Sequence, residues 1–334
     1  MGITDLLLLA AQAAITFVIV LLGGSLLLGT FTKLRATLKG SSTAGIHVYG
    51  PLVELFKLSF KSAPAQVTTS RVSRLLVLSV WILTTVLALI VLPFGQFVPF
   101  LNLLGEFQIF GVLALLMAYP VGLMVLNFLS TRKSTIHNLK FLSEDFFSNF
   151  ATYMLSIFAI LLIYAAASTQ FAHFPTLDEI ASFQANTQVH IGSLAFPKLF
   201  GLVNPLAFVA CFAAIPGMLQ PLEYTEAPIS RKWTPLSDFT GPSLGTVRAL
   251  EGTRFIVLLV FFTDLFLGGA MFTSNIYLNL VILAGIVIFL AVLLSFVKTK
   301  HGTWVLDRRI GGFVRVHNLI AIGAIILSCI IVFA

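Results

Sequence analysis

Charge is scarce in this chain. Asp, Glu, Lys and Arg make up 10% of its 334 residues, against about 25% in an ordinary soluble domain. Cysteine is scarcer still. Cys211 and Cys329 stand far apart in apolar surroundings, which excludes a disulfide framework or a thiolate metal site and leaves each as a small hydrophobe. The six histidines are scattered with no ligand spacing, and no glycine-rich phosphate loop follows a strand pattern, so neither a bound metal nor a nucleotide is expected. What the chain has instead is apolar surface: 58% hydrophobic residues and a mean hydropathy of +1.01. That composition excludes a soluble domain.

A hydrocarbon core about 30 Å thick needs about 20 apolar residues per helix. Eight such runs are present, at residues 6–30, 74–94, 108–129, 147–168, 199–219, 253–273, 275–297 and 315–334. Backbone groups in lipid must be satisfied internally, so the spans are helices or a closed barrel; runs this long, without alternating polarity, predict helices. The expected fold class is all-α, a polytopic transmembrane helix bundle of about eight spans that forms one membrane domain over residues 1–334. The first run lacks a positive n-region and exceeds the length of an h-region, so it reads as a span rather than a signal peptide.

Basic residues set the orientation. Every lysine and arginine except Lys198 falls in the first, third, fifth or seventh connection. By the positive-inside rule those connections are cytoplasmic and both termini lie outside, in a cell or inner membrane. The net charge of +7 is therefore a signature of topology, and nucleic-acid binding is not needed to explain it.

The remaining charge is concentrated. Residues 220–254 carry Glu223, Glu226, Asp238 and Glu251 together with Arg231, Lys232, Arg248 and Arg254. The third connection adds Glu144 and Asp145 just before the fourth span, where acids suit a helix N-terminus. The first connection contains a short amphipathic pattern over residues 48–60. Leu52, Leu55, Phe56 and Phe60 fall towards one face, and Glu54, Lys57 and Lys61 towards the other, as in an interfacial helix lying on the bilayer. In the outer connection, residues 175–180 read Pro-Thr-Leu-Asp-Glu-Ile, a start signal for a short surface helix in what is otherwise a solvated cap.

Asp264 is the exception to the apolar spans. It lies near the middle of the sixth one, where an aspartate costs about 2.5–3.5 kcal/mol on insertion scales and faces a bundle interior or a wet cavity. The alternative is a packing residue helped by Thr263. Gly268-Gly269, one turn on, would allow a bend or a close helix approach.

Two motifs then carry a resemblance. Leu222-Glu223-Tyr224-Thr225-Glu226-Ala227-Pro228, followed by Leu250-Glu251-Gly252-Thr253-Arg254-Phe255, resembles the acidic loop of the complex I subunit 1 family. That family supplies the heel membrane subunit of NADH:quinone oxidoreductase and is shared with energy-converting membrane-bound hydrogenases. Gly50-Pro51-Leu52-Val53-Glu54-Leu55-Phe56-Lys57-Leu58 is similar to the family's interfacial helix, in the same place after the first span. The chain departs from the pattern at Lys39-Gly40-Ser41-Ser42, where the family has Arg-x-Gly-Pro-Asn. It departs again at Arg231-Lys232, where the family's loop is acidic.

The resemblance implies a membrane-anchor and coupling subunit that performs no redox chemistry alone. It would bind no cofactor itself, with quinone as a substrate at the interface with a partner. Its partners would be peripheral iron–sulfur and hydrogenase-like subunits, antiporter-like membrane subunits and the lipid bilayer. The implied proton relay comprises Glu223, Glu226, Asp238, Glu251 and Asp264, with Glu144 and Asp145 at the intake. Arg35, Lys39, Glu54, Lys57 and Arg254 would line a quinone lip or dock the peripheral arm. A stand-alone transporter or channel, or an anchor that has lost coupling, are the alternatives.

Overall fold

The computed structural model describes residues 3–40, 45–60, 75, 79, 82, 83, 171, 173, 175–191, 194–219, 242–273, 275–301 and 319–330. The expected spans at 108–129 and 147–168, and all but four residues of that at 74–94, lie outside the described residues.

The architecture is built around one helix. α1 (Ile3–Leu38) is followed by the short α2 (Gly50–Phe60). Next come α3 (Leu177–Asn186) and a hairpin of β1 (Gln188–Ile191) and β2 (Leu194–Pro197), antiparallel with His190 opposite Ala195. A broken span follows, α4 (Phe200–Val203) and α5 (Pro205–Leu219), and then α6 (Pro242–Phe266), a single 3-10 turn at Gly268–Ala270, α7 (Ile276–His301) and α8 (Leu319–Ile330). Among the described residues the membrane-type elements are helical, as expected; the connection read as a solvated cap adds one two-stranded hairpin to them.

α6 is the core. From Gly252 to Phe266 every residue is buried except the half-buried Ile256, as expected for a helix that is apolar all round. α1, α2, α3, α5 and α7 all pack on it. On one side Phe208 and Phe212 of α5 meet Phe262 and Phe266 of α6, with ring centroids 4.9–5.8 Å apart across the contact. Tilted and edge-on rings of this kind add about 0.5–1.5 kcal/mol per pair beyond area burial.

The outer helices show the opposite pattern. Residues 17–38 of α1 and 277–296 of α7 are long and apolar enough to cross a membrane, and they leave Val18, Ile19, Val281, Ile288 and Phe289 exposed. A soluble monomer rarely exposes such a band.

The span expected at 199–219 is interrupted rather than continuous. Pro205 has no amide hydrogen to give, and Asn204 fills the gap: its side-chain oxygen accepts from the Ala207 amide at 3.0 Å. Its side-chain nitrogen donates to the Ala324 carbonyl at 3.1 Å and to the Ser328 hydroxyl at 2.8 Å. The buried break is thereby closed and pinned to α8.

α2 is also turned from the expected orientation. Leu52, Leu55 and Leu58 are its half-buried face, on the helix that packs against α1 and α6. Tyr49, Val53, Phe56 and Phe60 form an exposed apolar stripe, with Phe60 87% exposed. Packing on two helices uses the leucine face and leaves the aromatic one outward.

Candidate functional site

Asp264 sits in the last turn of α6, 1% exposed. Neither carboxyl oxygen has a hydrogen-bond partner among the described residues. The adjacent Thr263 does not assist it, because the Thr263 hydroxyl donates to the Leu259 carbonyl, 2.8 Å away, within its own helix. The helix stops just beyond, where Gly268 and Gly269 adopt φ of 75° and 58°. A left-handed pair there is a glycine requirement, and space demands it too. A Cβ on Gly269 would lie 2.8 Å from Asp264 Oδ1 and 2.8 Å from the Ala181 Cβ. The Asp264 carboxyl is therefore wedged under α3, with only a glycine face between them.

α3 is fixed in place by two devices. At its start Thr176 and Glu179 form a capping box: the Glu179 amide donates to Thr176 Oγ1 at 3.3 Å, and the Thr176 amide donates to Glu179 Oε2 at 2.7 Å. Glu179 Oε1 also pairs with His173 Nε2 at 3.1 Å. On the buried face, Leu177, Ile180, Ala181 and Gln184 follow helical spacing. Gln184, wholly buried, donates from Nε2 to the carbonyls of Asp264 and Leu265, each at 3.1 Å, and accepts from the Phe200 amide at 2.9 Å. The last carbonyls of a helix lack intrahelical donors. In an apolar setting a protein side chain must supply them, and Gln184 does.

Electrostatics separate the two acids of α3. Glu179 is partly desolvated, yet the Thr176 backbone and the His173 and Thr176 side chains outweigh that and hold its carboxyl below the ordinary 4.5. Asp178 is raised from 3.8, first by desolvation among the surrounding atoms and then by the Glu179 charge. Its side chain nevertheless remains open at the surface, and it lies within electrostatic range of Asp264.

The other end of α6 has a different construction. Gly252 meets Gly24 of α1 backbone to backbone, and the Gly252 carbonyl stands where a Cβ on Gly24 would be. One turn along, Phe31 and Phe255 pack edge-on at 5.4 Å. Arg254 is buried, Arg35 in the last turn of α1 is half-buried, and Lys39, Glu54 and Lys57 are exposed.

Of the anticipated residues, Glu223, Glu226, Asp238, Glu144 and Asp145 lie outside the described residues. Glu251 falls on α6 itself, as do Arg254 and Asp264. Helical rise separates Glu251 from Asp264 by about 20 Å, so these two do not exchange a proton directly. Arg35 lies in the last turn of α1, Lys39 just past its end, and Glu54 and Lys57 on α2; both helices pack against α6. Gln184 and Asn204 were not anticipated. The signal for Gln184 was present: a polar residue seven positions after Leu177, in register with an apolar face.

No protein-family model matches the chain, and no curated protein matches it. A solved structure does. The chain superposes on a chain of the membrane-bound sulfane sulfur reductase (MBS), an archaeal respiratory membrane complex, with a TM-score of 0.73 at 19% identity. The match covers 96% of this chain and 99% of the other. The two chains share one fold. Similarity to the MBS chain extends over nearly the whole of both, so the fold is common to them from end to end rather than confined to one helix bundle.

Proposed function

We propose that this chain is the membrane-anchor and coupling subunit of a complex I-like, ion-translocating respiratory or hydrogenase complex. The observation that carries the reading is the end-to-end fold match to a chain of a respiratory membrane complex, reached independently of the acidic-loop and interfacial-helix motifs that pointed the same way. On this reading the eight spans place both termini outside and the basic connections inside. Arg35, Lys39, Glu54, Lys57 and Arg254 there line the quinone lip or dock the peripheral redox arm. Redox chemistry, with quinone as acceptor, would be transmitted through Glu223, Glu226, Asp238, Glu251 and Asp264, with Glu144 and Asp145 at the intake.

Buried carboxyls suit that task. A carboxyl without a donor or a cation beside it is least costly when it carries its proton, and a small rearrangement that admits water lets it release one. The stand-alone transporter reading draws on the broken span at Asn204, because transporter sites favour interrupted helices. Here the Asn204 side chain itself occupies the break and satisfies it, which favours a sealed joint over an ion site.

Purification of the tagged chain in mild detergent tests the proposal. Iron-containing subunits and antiporter-like membrane subunits are expected to accompany it, with electron transfer from a reduced donor in the eluate. A lone oligomer free of iron would overturn the reading.

A further inference from the structure

The implied relay includes Asp264 but leaves out Asp178, the other carboxyl at the α3 end of the molecule. Asp264 is buried, has no hydrogen-bond partner among the described residues, and lies under the glycine face of Gly269 against Ala181. Asp178 lies one turn before Ala181 on the same helix. It has no hydrogen-bond partner among the described residues and is open to solvent. Its neighbour Glu179 cannot substitute for it, being held in the capping box and by His173.

We infer that Asp264 and Asp178 form a proton route from the interior of the bundle to the face of the molecule covered by α3, with Asp178 as the surface acceptor. This rests on the coupling reading above and adds an exit that the inner acidic loop does not supply.

The step is a simple transfer. The O–H bond of the Asp264 carboxyl breaks, and its proton passes through a water molecule to the Asp178 carboxylate and then to bulk water. Asp264 is left anionic until it is reloaded from within the bundle, and no electron moves. The geometry makes the step conditional. Ala181 and Gly269 close the direct line, so α3 has to lift for water to enter, and Gln184 is the latch that holds it down. An anion left at the C-terminal end of α6 also faces the negative end of the helix dipole, which favours prompt reloading.

The raised position of Asp178 fits an acceptor that both takes and gives a proton. The charged groups around the pair, among the described residues, are Glu179 and His173 on the α3 side and Lys198 after β2. Lys198 is 5.6 Å from the Phe183 ring centre. The 3-10 turn, α5 and the adjoining start of α7 bring none.

Infrared hydrogen–deuterium exchange of the Asp264 carboxylic C=O band tests the route, on the complex as it purifies with this chain, reconstituted in vesicles. The Asp264→Asn difference spectrum identifies the band. Asp178→Asn is expected to slow its exchange by about a hundredfold, the low end for a positioned proton carrier. Asp178→Glu should restore the exchange, and Glu179→Gln should leave it unchanged. Asp178→Ser, which keeps a small polar side chain at this exposed position, replaces Asp178→Asn if the latter fails to fold. In turnover, Asp178→Asn should lower the protons moved per electron without slowing electron transfer. Exchange in both Asp178 variants equal to the unmodified protein, or no band removed by Asp264→Asn, overturns the route. Because exchange is read without turnover, it stands apart from the coupling reading, whose failure shows instead as missing iron-containing partners.

Discussion

The two ends of α6 solve opposite problems. At the Gly252 end two helices meet through bare backbone, and side chains are excluded so that the spans can touch. At the Asp264 end an ionisable side chain is enclosed without a partner, and a separate surface helix covers it. The first end is tight because nothing is there to move. The second is tight only while a latch holds. Rigidity and a buried acid thus occupy one helix about 18 Å apart by its rise, and the difference suggests which end carries load and which end opens.

Substitutions can break that contrast. The largest effect is expected from Gly24→Leu. Its Cβ would fall on the Gly252 carbonyl, with the Thr253 amide nitrogen 3.0 Å away. Backbone cannot yield as a side chain can, so a loss of about 3 kcal/mol or more is expected, visible as the disappearance of a monodisperse peak in detergent. Gly23→Leu is the control. The nearest atom to its Cβ is the Ile256 Cδ1 at 3.6 Å, ordinary contact, and the protein should survive.

Gln184→Leu comes next. It removes the partners of two buried carbonyls and one buried amide, for an expected loss of about 3 kcal/mol, read as a lower thermal midpoint. An unchanged midpoint would mean that α3 is not latched, and the contrast between the two ends would collapse.

Asp264→Asn sharpens the comparison from the other direction. It removes an acid with no hydrogen bonds to lose, so stability should stay within about 1 kcal/mol while ion pumping is abolished and assembly persists. A large loss of stability with intact pumping would make Asp264 a packing residue.

The smallest effect belongs to Thr176→Ala, about 1 kcal/mol for a lost N-cap. Its pH dependence is also defined. Glu179 is held below 4.5 when folded, so its contribution is complete above that value and is lost as pH falls through the lowered one. Asp178 runs the other way: its raised position costs nothing below 3.8 and costs fully once pH exceeds the raised value. Thr176→Ala should therefore flatten the acid limb of a stability–pH profile without altering the Asp178 contribution.

Much of the helical pattern was legible because it rests on local apolar runs and on charge. Asp264 stood out as an acid in an apolar stretch, and the start of α3 was marked by Asp178 and Glu179, acids that suit a helix N-terminus. The hairpin was missed although Gly192-Ser193 between two short runs is a hairpin signal; a solvated reading of the outer connection hid it. Gln184 could not have been assigned its role, because its partners lie 80 residues or more ahead on α6 and 16 ahead at Phe200. The outward turn of Phe56 and Phe60 was equally hidden. A single helix offers two apolar stripes, and only its packing on α1 and α6 decides which is used.

The Gly24–Gly252 crossing has a mechanical consequence. At the crossing point itself backbone meets backbone, while side chains such as Phe31 and Phe255 pack a turn away, and the freedom left to α6 is to pivot. The crossing is then a fulcrum. A tilt of about 3° there displaces the Asp264 end by about 1 Å over the intervening rise, which is a large movement for a latch made of hydrogen bonds 2.9–3.1 Å long.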